Sequence, residues 1–183
     1  GEIHGDTVVI STPGEFANTG RIKATDLLTI DADSVTNAAR VASSASDRNQ
    51  WLQQGVVLEG GSLLINTTGD LVNRGGVIRS TAPSTGVLLK DADTNEDGQI
   101  TPDEIPAGYL QLAVGGNLIN DAARTQSAFW LGRGYGKGYR PEFHAADISS
   151  SGELNIDAKG DIHNRGSVIA STDSMALKAG GDL

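Results

Sequence analysis

Residues 63–80 read LLINTTGDLVNRGGVIRS, and residues 154–171 read LNIDAKGDIHNRGSVIAS. Residues 8–24, VVISTPGEFANTGRIKA, follow the same template: an alternating apolar strand, Gly, an acidic residue, an apolar residue, any residue, Asn, any residue, Gly, then a second short apolar strand. The spacing is stricter than the lettering. Gly14 to Asn18, Gly69 to Asn73, Gly116 to Asn120 and Gly160 to Asn164 are each four residues apart, and Asp33 to Asn37 keeps the interval with Asp in place of Gly. Two residues past Asn stands Gly20, Gly75 or Gly166, and in two looser copies Ala39 or Ala122. The chain ends in AGGDL, where Gly181, Asp182 and Leu183 open another copy 21 residues after Gly160.

A period of roughly 20 residues, made of short alternating strands and tight corners, is the pattern of a stacked solenoid. The predicted fold is all-β, a right-handed parallel β-helix with two or three loop insertions. Each coil places Val, Leu or Ile inward at every second position and pairs its strands with those of the next coil. Gly is expected at the corners because it permits positive φ, and Asn because it tolerates the same region while its amide bonds the next coil. This predicts an Asn ladder through Asn18, Asn37, Asn73, Asn120 and Asn164. Those positions lie 19, 36, 47 and 44 residues apart, so some intervals hold insertions. At about 4.8 Å per coil, some eight coils would give a rod roughly 40 Å long. Both chain ends interrupt the repeat and are expected to be exposed pairing edges. An antiparallel sandwich shares the strand and turn signals, but gives no reason for a fixed Gly-to-Asn interval.

Composition agrees. Among 183 residues there is no Cys, which excludes a disulfide scaffold and a thiolate zinc site. Aromatics are 4% of the chain, so the core must be aliphatic. With 23 acidic against 14 basic side chains the net charge is -9 and the pI about 4.6, which argues against nucleic acid or an anionic membrane as partner. No apolar run is long enough for a transmembrane helix, and residues 1–20 lack the pattern of a signal peptide, so any export signal is expected outside this sequence. The whole of 1–183 reads as one β-helix segment of a larger protein, interrupted at 43–55, 91–106 and 125–145.

The strings GDLVNRGGVI, GDIHNRGSVIAS and MALKAGGDL resemble the repeats of filamentous haemagglutinins and of the stalk proteins of contact-dependent growth inhibition systems. The resemblance covers residues 8–41, 63–80, 109–123 and 154–183. It implies a stalk or adhesive segment of a large exoprotein, secreted or held on the surface of a Gram-negative bacterium and used in cell-cell contact. It further implies two-partner secretion, in which an outer-membrane partner transporter exports the chain.

Residues 93–104, DTNEDGQITPDE, match the calcium loop of an EF-hand. Asp93, Asn95 and Asp97 would present side-chain oxygens at loop positions one, three and five, Gln99 a backbone carbonyl at seven, Thr101 an oxygen or a water at nine, and Glu104 two oxygens at twelve. Gly98 and Ile100 occupy the turn and apolar positions. Pro102, Pro106 and Gly108 make a full exiting helix improbable. The expected cofactor is therefore Ca2+ held by a solitary loop, against the plainer reading of a solvated acidic loop.

Residues 129–144, FWLGRGYGKGYRPEFH, hold five of the eight aromatics of the chain. Phe129, Trp130, Arg133, Tyr135, Lys137, Tyr139 and Arg140 combine aromatic faces and cations on a glycine-rich extended segment, the composition of a binding surface. A receptor protein or a glycan on a target cell is the expected partner. Alternatively the aromatics fold back as a small satellite core. Trp51, in the irregular stretch 43–55, is expected on the rod. Catalysis is not expected. His4, His144 and His163 are scattered, no nucleophile has a base near it, and the pair Asp31 and Asp33 imitates a glycosidase dyad only by strand spacing.

Overall fold

A computed structural model describes residues 1–39, 41–43, 50–52, 56–87, 89–92, 104–130 and 137–183; within 41–43 and 50–52, and at Lys90, Gln126, Ser127, Ala128, Trp130, Lys137 and Tyr139, it describes the backbone alone. Strands β1 (Glu2–Ser11) and β2 (Glu15–Asn18) make the first coil, β3 (Arg21–Ala32) and β4 (Ser34–Ala38) the second. A hairpin, β5 (Val41–Ser43) and β6 (Gln50–Leu52), follows. The third coil is β7 (Val57–Gly60), β8 (Ser62–Thr67) and β9 (Leu71–Arg74), and the fourth β10 (Val77–Ser80), β11 (Leu110–Val114) and β12 (Leu118–Asp121). After a second hairpin, β13 (Ala123–Trp130) and β14 (Lys137–His144), come β15 (Asp147–Ser150), β16 (Leu154–Ala158) and β17 (Ile162–Arg165) as the fifth coil. β18 (Val168–Ser171) and β19 (Met175–Ala179) begin the sixth.

Every coil-to-coil pairing is parallel, and all hold their register except β1 with β3, which shifts between Gly5 and Thr7; this establishes a parallel β-helix and disposes of the sandwich. Each coil has three faces. Long β3 spans two of them: residues 21–23 pair with β7, and 27–32 pair with β8. Among the described residues there are six coils, not the eight expected, because β5–β6 and β13–β14 pair as hairpins off the parallel stack and no described strand lies between β10 and β11. From first coil to last the stack is therefore roughly 24 Å long at ~4.8 Å per step.

The period-two pattern gives the inward columns. One runs Val8, Leu28, Leu63, Leu110, Leu154 and Met175; beside it runs Ile10, Ile30, Ile65, Leu112, Ile156 and Leu177. The middle members of both columns, such as Leu63, Ile65, Leu110 and Leu112, are fully buried. Burial of each such side chain contributes about 1.5–3 kcal/mol relative to exposure. At the ends of the stack Met175 and Leu177 remain partly exposed.

The Asn ladder forms, and it lies within strands, not at corners. Asn18, Asn37, Asn73, Asn120 and Asn164 occupy one register column of the third face. Each Nδ2 donates to the Oδ1 of the next Asn, at 2.8, 2.8, 2.9 and 2.8 Å in turn. A second proton goes to a backbone carbonyl: Val57 from Asn18, Val77 from Asn37, Asp147 from Asn73 and Val168 from Asn120. Asn37, Asn73 and Asn120 are fully buried, so these bonds satisfy groups that would otherwise be stranded.

The corner glycines follow a different rule from the expected one. Gly75 and Gly166 have φ of 60 and 61°, but Gly69, Gly116 and Gly160 are not in the positive region. Close approach crowds out a side chain at Gly116 and Gly160, whereas at Gly69 the nearest atom to a Cβ, the Asp33 carbonyl oxygen, would lie 3.1 Å away. A Cβ at Gly116 would lie 2.3 Å from Asp70 Oδ1, and one at Gly160 2.3 Å from Asn117 Oδ1. This also explains the polar residue after each Gly. Asp70 Oδ1 accepts the N–H of Asn117 at 2.7 Å, Asn117 Oδ1 that of Asp161 at 2.9 Å, and Asp161 Oδ1 that of Asp182 at 2.8 Å.

Outward charges also pair between coils. Glu59 sits in register between Lys23 and Arg79 and binds both, with Lys23 Nζ at 2.9 Å. Burial pushes its carboxyl up, but the hydrogen bonds from Lys23 and Arg79 outweigh this and hold it below the ordinary value. Asp31 accepts from Asn66 and Asp33 from Thr68, so the two acids that imitated a dyad are structural acceptors.

Replacing Asn73 by Ala removes a donor and an acceptor from the middle of the buried ladder and should cost about 2–4 kcal/mol in denaturant unfolding. Asn164→Ala, at the exposed end, should stay within about 0.5 kcal/mol.

Candidate functional site

The coils themselves offer little beyond a regular surface; chemical variety is concentrated where the chain leaves them. Two of the three excursions leave from the same corner. After Asn73 and Asn164 the chain turns through Gly75 and Gly166 at positive φ. Ala39 and Ala122 hold those positions in two other copies, and an L residue resists that conformation; Gly20, in the first copy, passes the corner into β3 without positive φ. At the two alanines the chain runs on into the β5–β6 and β13–β14 hairpins instead of turning. Because they leave from one corner two coils apart, the hairpins meet: β6 lies beside β13. The second hairpin needs Gly75 beneath it, since a Cβ there would come within 2.6 Å of Ala123 Cβ.

Register places the expected binding residues on β13–β14. Phe129 stands opposite Gly138, Ser127 opposite Arg140, Ala128 opposite Tyr139 and Trp130 opposite Lys137. Phe129 is 44% exposed, with its ring lying over Gly138. The Arg140 guanidinium sits 6.0 Å from the ring centroid, a cation–π contact. Arg133 and Tyr135, with the rest of residues 131–136, lie outside the described residues. A matching pair at the hairpin base was missed in the sequence: Arg124 lies 5.8 Å over the ring of Phe143, which is 67% exposed. The signal for it was available. Phe143 belongs to the aromatic cluster, and an antiparallel hairpin centred on the glycines pairs it with Arg124.

Beside Phe143, Asp121 and Arg165 stack in register on the third face. Arg165 Nε donates to Asp121 Oδ1 at 3.0 Å and Nη2 to Oδ2 at 2.7 Å, a bidentate pair. Hydrogen bonding to that carboxylate raises the guanidinium pKa further above its high ordinary value. Asp121, Ala122, Phe143, Arg165 and Gly166 line an open groove of about 320 Å³.

The third excursion, 81–109, leaves another corner and carries the expected calcium loop. Asp93, Asn95, Asp97, Gln99 and Thr101 lie outside the described residues; Glu104 is described and half-buried. Both flanks are anchored. Leu89 N donates to Glu153 Oε2 at 2.9 Å, and Ala92 is buried. On the other side Ser62 Oγ donates to the Pro106 carbonyl at 2.8 Å. The hydroxyls of Ser80 and Ser150 lie 2.6 and 2.7 Å from the Gly108 carbonyl and 3.0 Å from one another. Tyr109 is 1% exposed at the point of re-entry. Burial, reinforced by the charge of Glu153 and opposed by a hydrogen bond to Asn155, pushes its hydroxyl up to about 12.

His163 is exposed, 3.5 Å from Asp161. Among the described residues no three His, Asp or Glu side chains are grouped as metal ligands.

In-register coils with decorations confined to the corners define a repeat solenoid. The haemagglutinin repeat model matches residues 3–75, 80–125 and 143–183, and the chain belongs to that family of secreted surface adhesins, a structural and adhesive family. The match crosses the excursion 81–109 but omits residues 126–142, most of the second hairpin. No curated protein and no solved structure matches the chain.

In an ultraviolet pH titration Tyr109 should ionise near pH 12, a late step that Tyr109→Phe abolishes. Because folding favours the neutral phenol, its contribution to stability is complete below the ordinary tyrosine pKa of about 10 and is lost as pH rises toward about 12.

Proposed function

We propose that this chain is a rod segment of a surface exoprotein used in cell-cell contact, which holds the second hairpin away from the cell as its contact surface. The observation that carries this reading is that hydrogen bonds and apolar columns continue without a break through coils from which the hairpin projects. A solenoid in which each coil is braced by its neighbours is a stiff spacer. Phe129, Phe143, Arg124 and Arg140 are exposed on the hairpin, and Phe129 and Arg140 lie in the part of it, residues 126–142, that the family pattern does not cover. Residues 123–144 carry Arg124, Arg133, Lys137 and Arg140 against Glu142, in a chain of net charge -9. Export through an outer-membrane partner transporter, and a role in contact-dependent growth inhibition or in adhesion, belong to the same proposal.

The test uses the molecule's own geometry. Coil three passes the corner by Arg74, Gly75, Gly76 and Val77. Replacing residues 122–146 by Gly-Gly should therefore close coil four onto coil five. The variant should keep its β-sheet circular dichroism spectrum while the parent protein loses attachment to target cells. Attachment at the wild-type level would leave only the spacer role.

We also propose that residues 93–104 bind Ca2+, which stiffens the excursion whose flanks are anchored at Glu153, Pro106 and Gly108. Extracellular loops of this kind bind at about 0.1–1 mM. Titration calorimetry should give binding heat in that range, absent in the double variant Asp93→Ala with Glu104→Ala; equal heats in both proteins would exclude the site.

A further inference from the structure

We infer that the groove at the base of the second hairpin is a binding site for an acidic sugar, a pyranose ring carrying a carboxylate. The inference rests on the reading of this hairpin as the contact surface and names the chemistry it recognises. The groove is open, about 320 Å³, and within the size range of small-ligand sites. Three complementary groups meet in it. Phe143 offers an exposed aromatic face, suited to the apolar C–H face of a pyranose.

Asp121 and Arg165 supply the polar contacts. A guanidinium has five N–H bonds, and two of those on Arg165 close on Asp121. Its side chain is 73% exposed, so the others face solvent as donors. The Asp121 oxygens each accept one bond from Arg165 and keep capacity for a hydroxyl proton. A ring face beside a fixed donor and a fixed acceptor is the complement of a hydroxylated ring. It fits an extended acidic peptide less well, because a peptide carboxylate gains nothing from Asp121, whereas a sugar brings hydroxyls beside its carboxylate that donate to it.

Charge selects the acid. Arg165 and Asp121 balance each other in the lining, and Arg124, outside the lining but with its guanidinium over the ring of Phe143, adds a cation at the groove's edge on an acidic molecule. The carboxylate of the ligand would approach the two guanidiniums while its ring rests on Phe143. The pairing of Asp121 with Arg165 gives rigidity: the donor array is held before any ligand arrives.

The full chain should be studied by saturation-transfer NMR and calorimetry with the methyl glycosides of glucuronic acid and N-acetylneuraminic acid, with methyl glucoside as the neutral control and a Glu-rich peptide as the competitor. The acidic glycosides should bind, and methyl glucoside should bind at least about tenfold more weakly, the effect of losing one charge-assisted hydrogen bond. Phe143→Ala and Arg124→Gln should each weaken the acidic glycosides about tenfold with the thermal midpoint unchanged, while Phe143→Tyr retains binding. Equal binding of the neutral sugar, binding of the peptide alone, no binding, or full binding by Phe143→Ala would overturn the site. Attachment separates the two readings. If Phe143→Ala loses attachment although no glycoside binds the wild type, the contact surface stands and the sugar site falls. If Phe143→Ala loses glycoside binding yet attaches normally, the sugar site stands and the contact reading falls.

Discussion

The amide of Asn73 accepts a proton from Asn37 and gives one to Asn120 and another to a backbone carbonyl, all out of contact with water. That geometry exists only when equivalent residues of successive coils lie directly above one another. A slip of one residue would turn the amides outward and carry the Leu and Ile columns with them. The ladder thus fixes register, and register fixes the rest: which side chains enter the core, which charges meet outside it, and where each corner falls. The trio of Lys23, Glu59 and Arg79 is one outer consequence, far apart in sequence and adjacent in space.

Corners are the places where such a molecule can change without unstacking. At the corner beyond four of the five ladder Asn residues, one atom separates two outcomes. Gly75 and Gly166 take positive φ and return the chain to the next coil, whereas at Ala39 and Ala122 it departs as a hairpin. Departures two coils apart at one corner bring the hairpins side by side, so the decorated side of the rod follows from coil geometry. The excursion 81–109 departs elsewhere and is tied down by serine hydroxyls at Ser62, Ser80 and Ser150, in contrast to the projecting hairpin.

The parallel stack, the Asn ladder and the aliphatic columns were legible because each repeats at a fixed interval, and a repeated interval reports contact between copies. The reason for the corner glycines was not legible. Positive φ and close approach both select Gly, and the two are separated only by seeing Asp70 and Asn117 oxygens where a Cβ at Gly116 and Gly160 would stand. The number of coils was misjudged for a related reason, since an excursion and a coil of equal length are indistinguishable until one knows whether it pairs with its neighbours.

Residues acting through local, repeated spacing are therefore written openly along the chain: the strands, the ladder, and the aromatic and cationic character of the second hairpin. The meeting of Phe143, with Arg124 over its ring, with Asp121 and Arg165 was not, because these residues belong to a hairpin and to two different coils. Their distances depend on where the hairpin leaves the stack and how the coils align, a matter of long-range packing that no local pattern encodes.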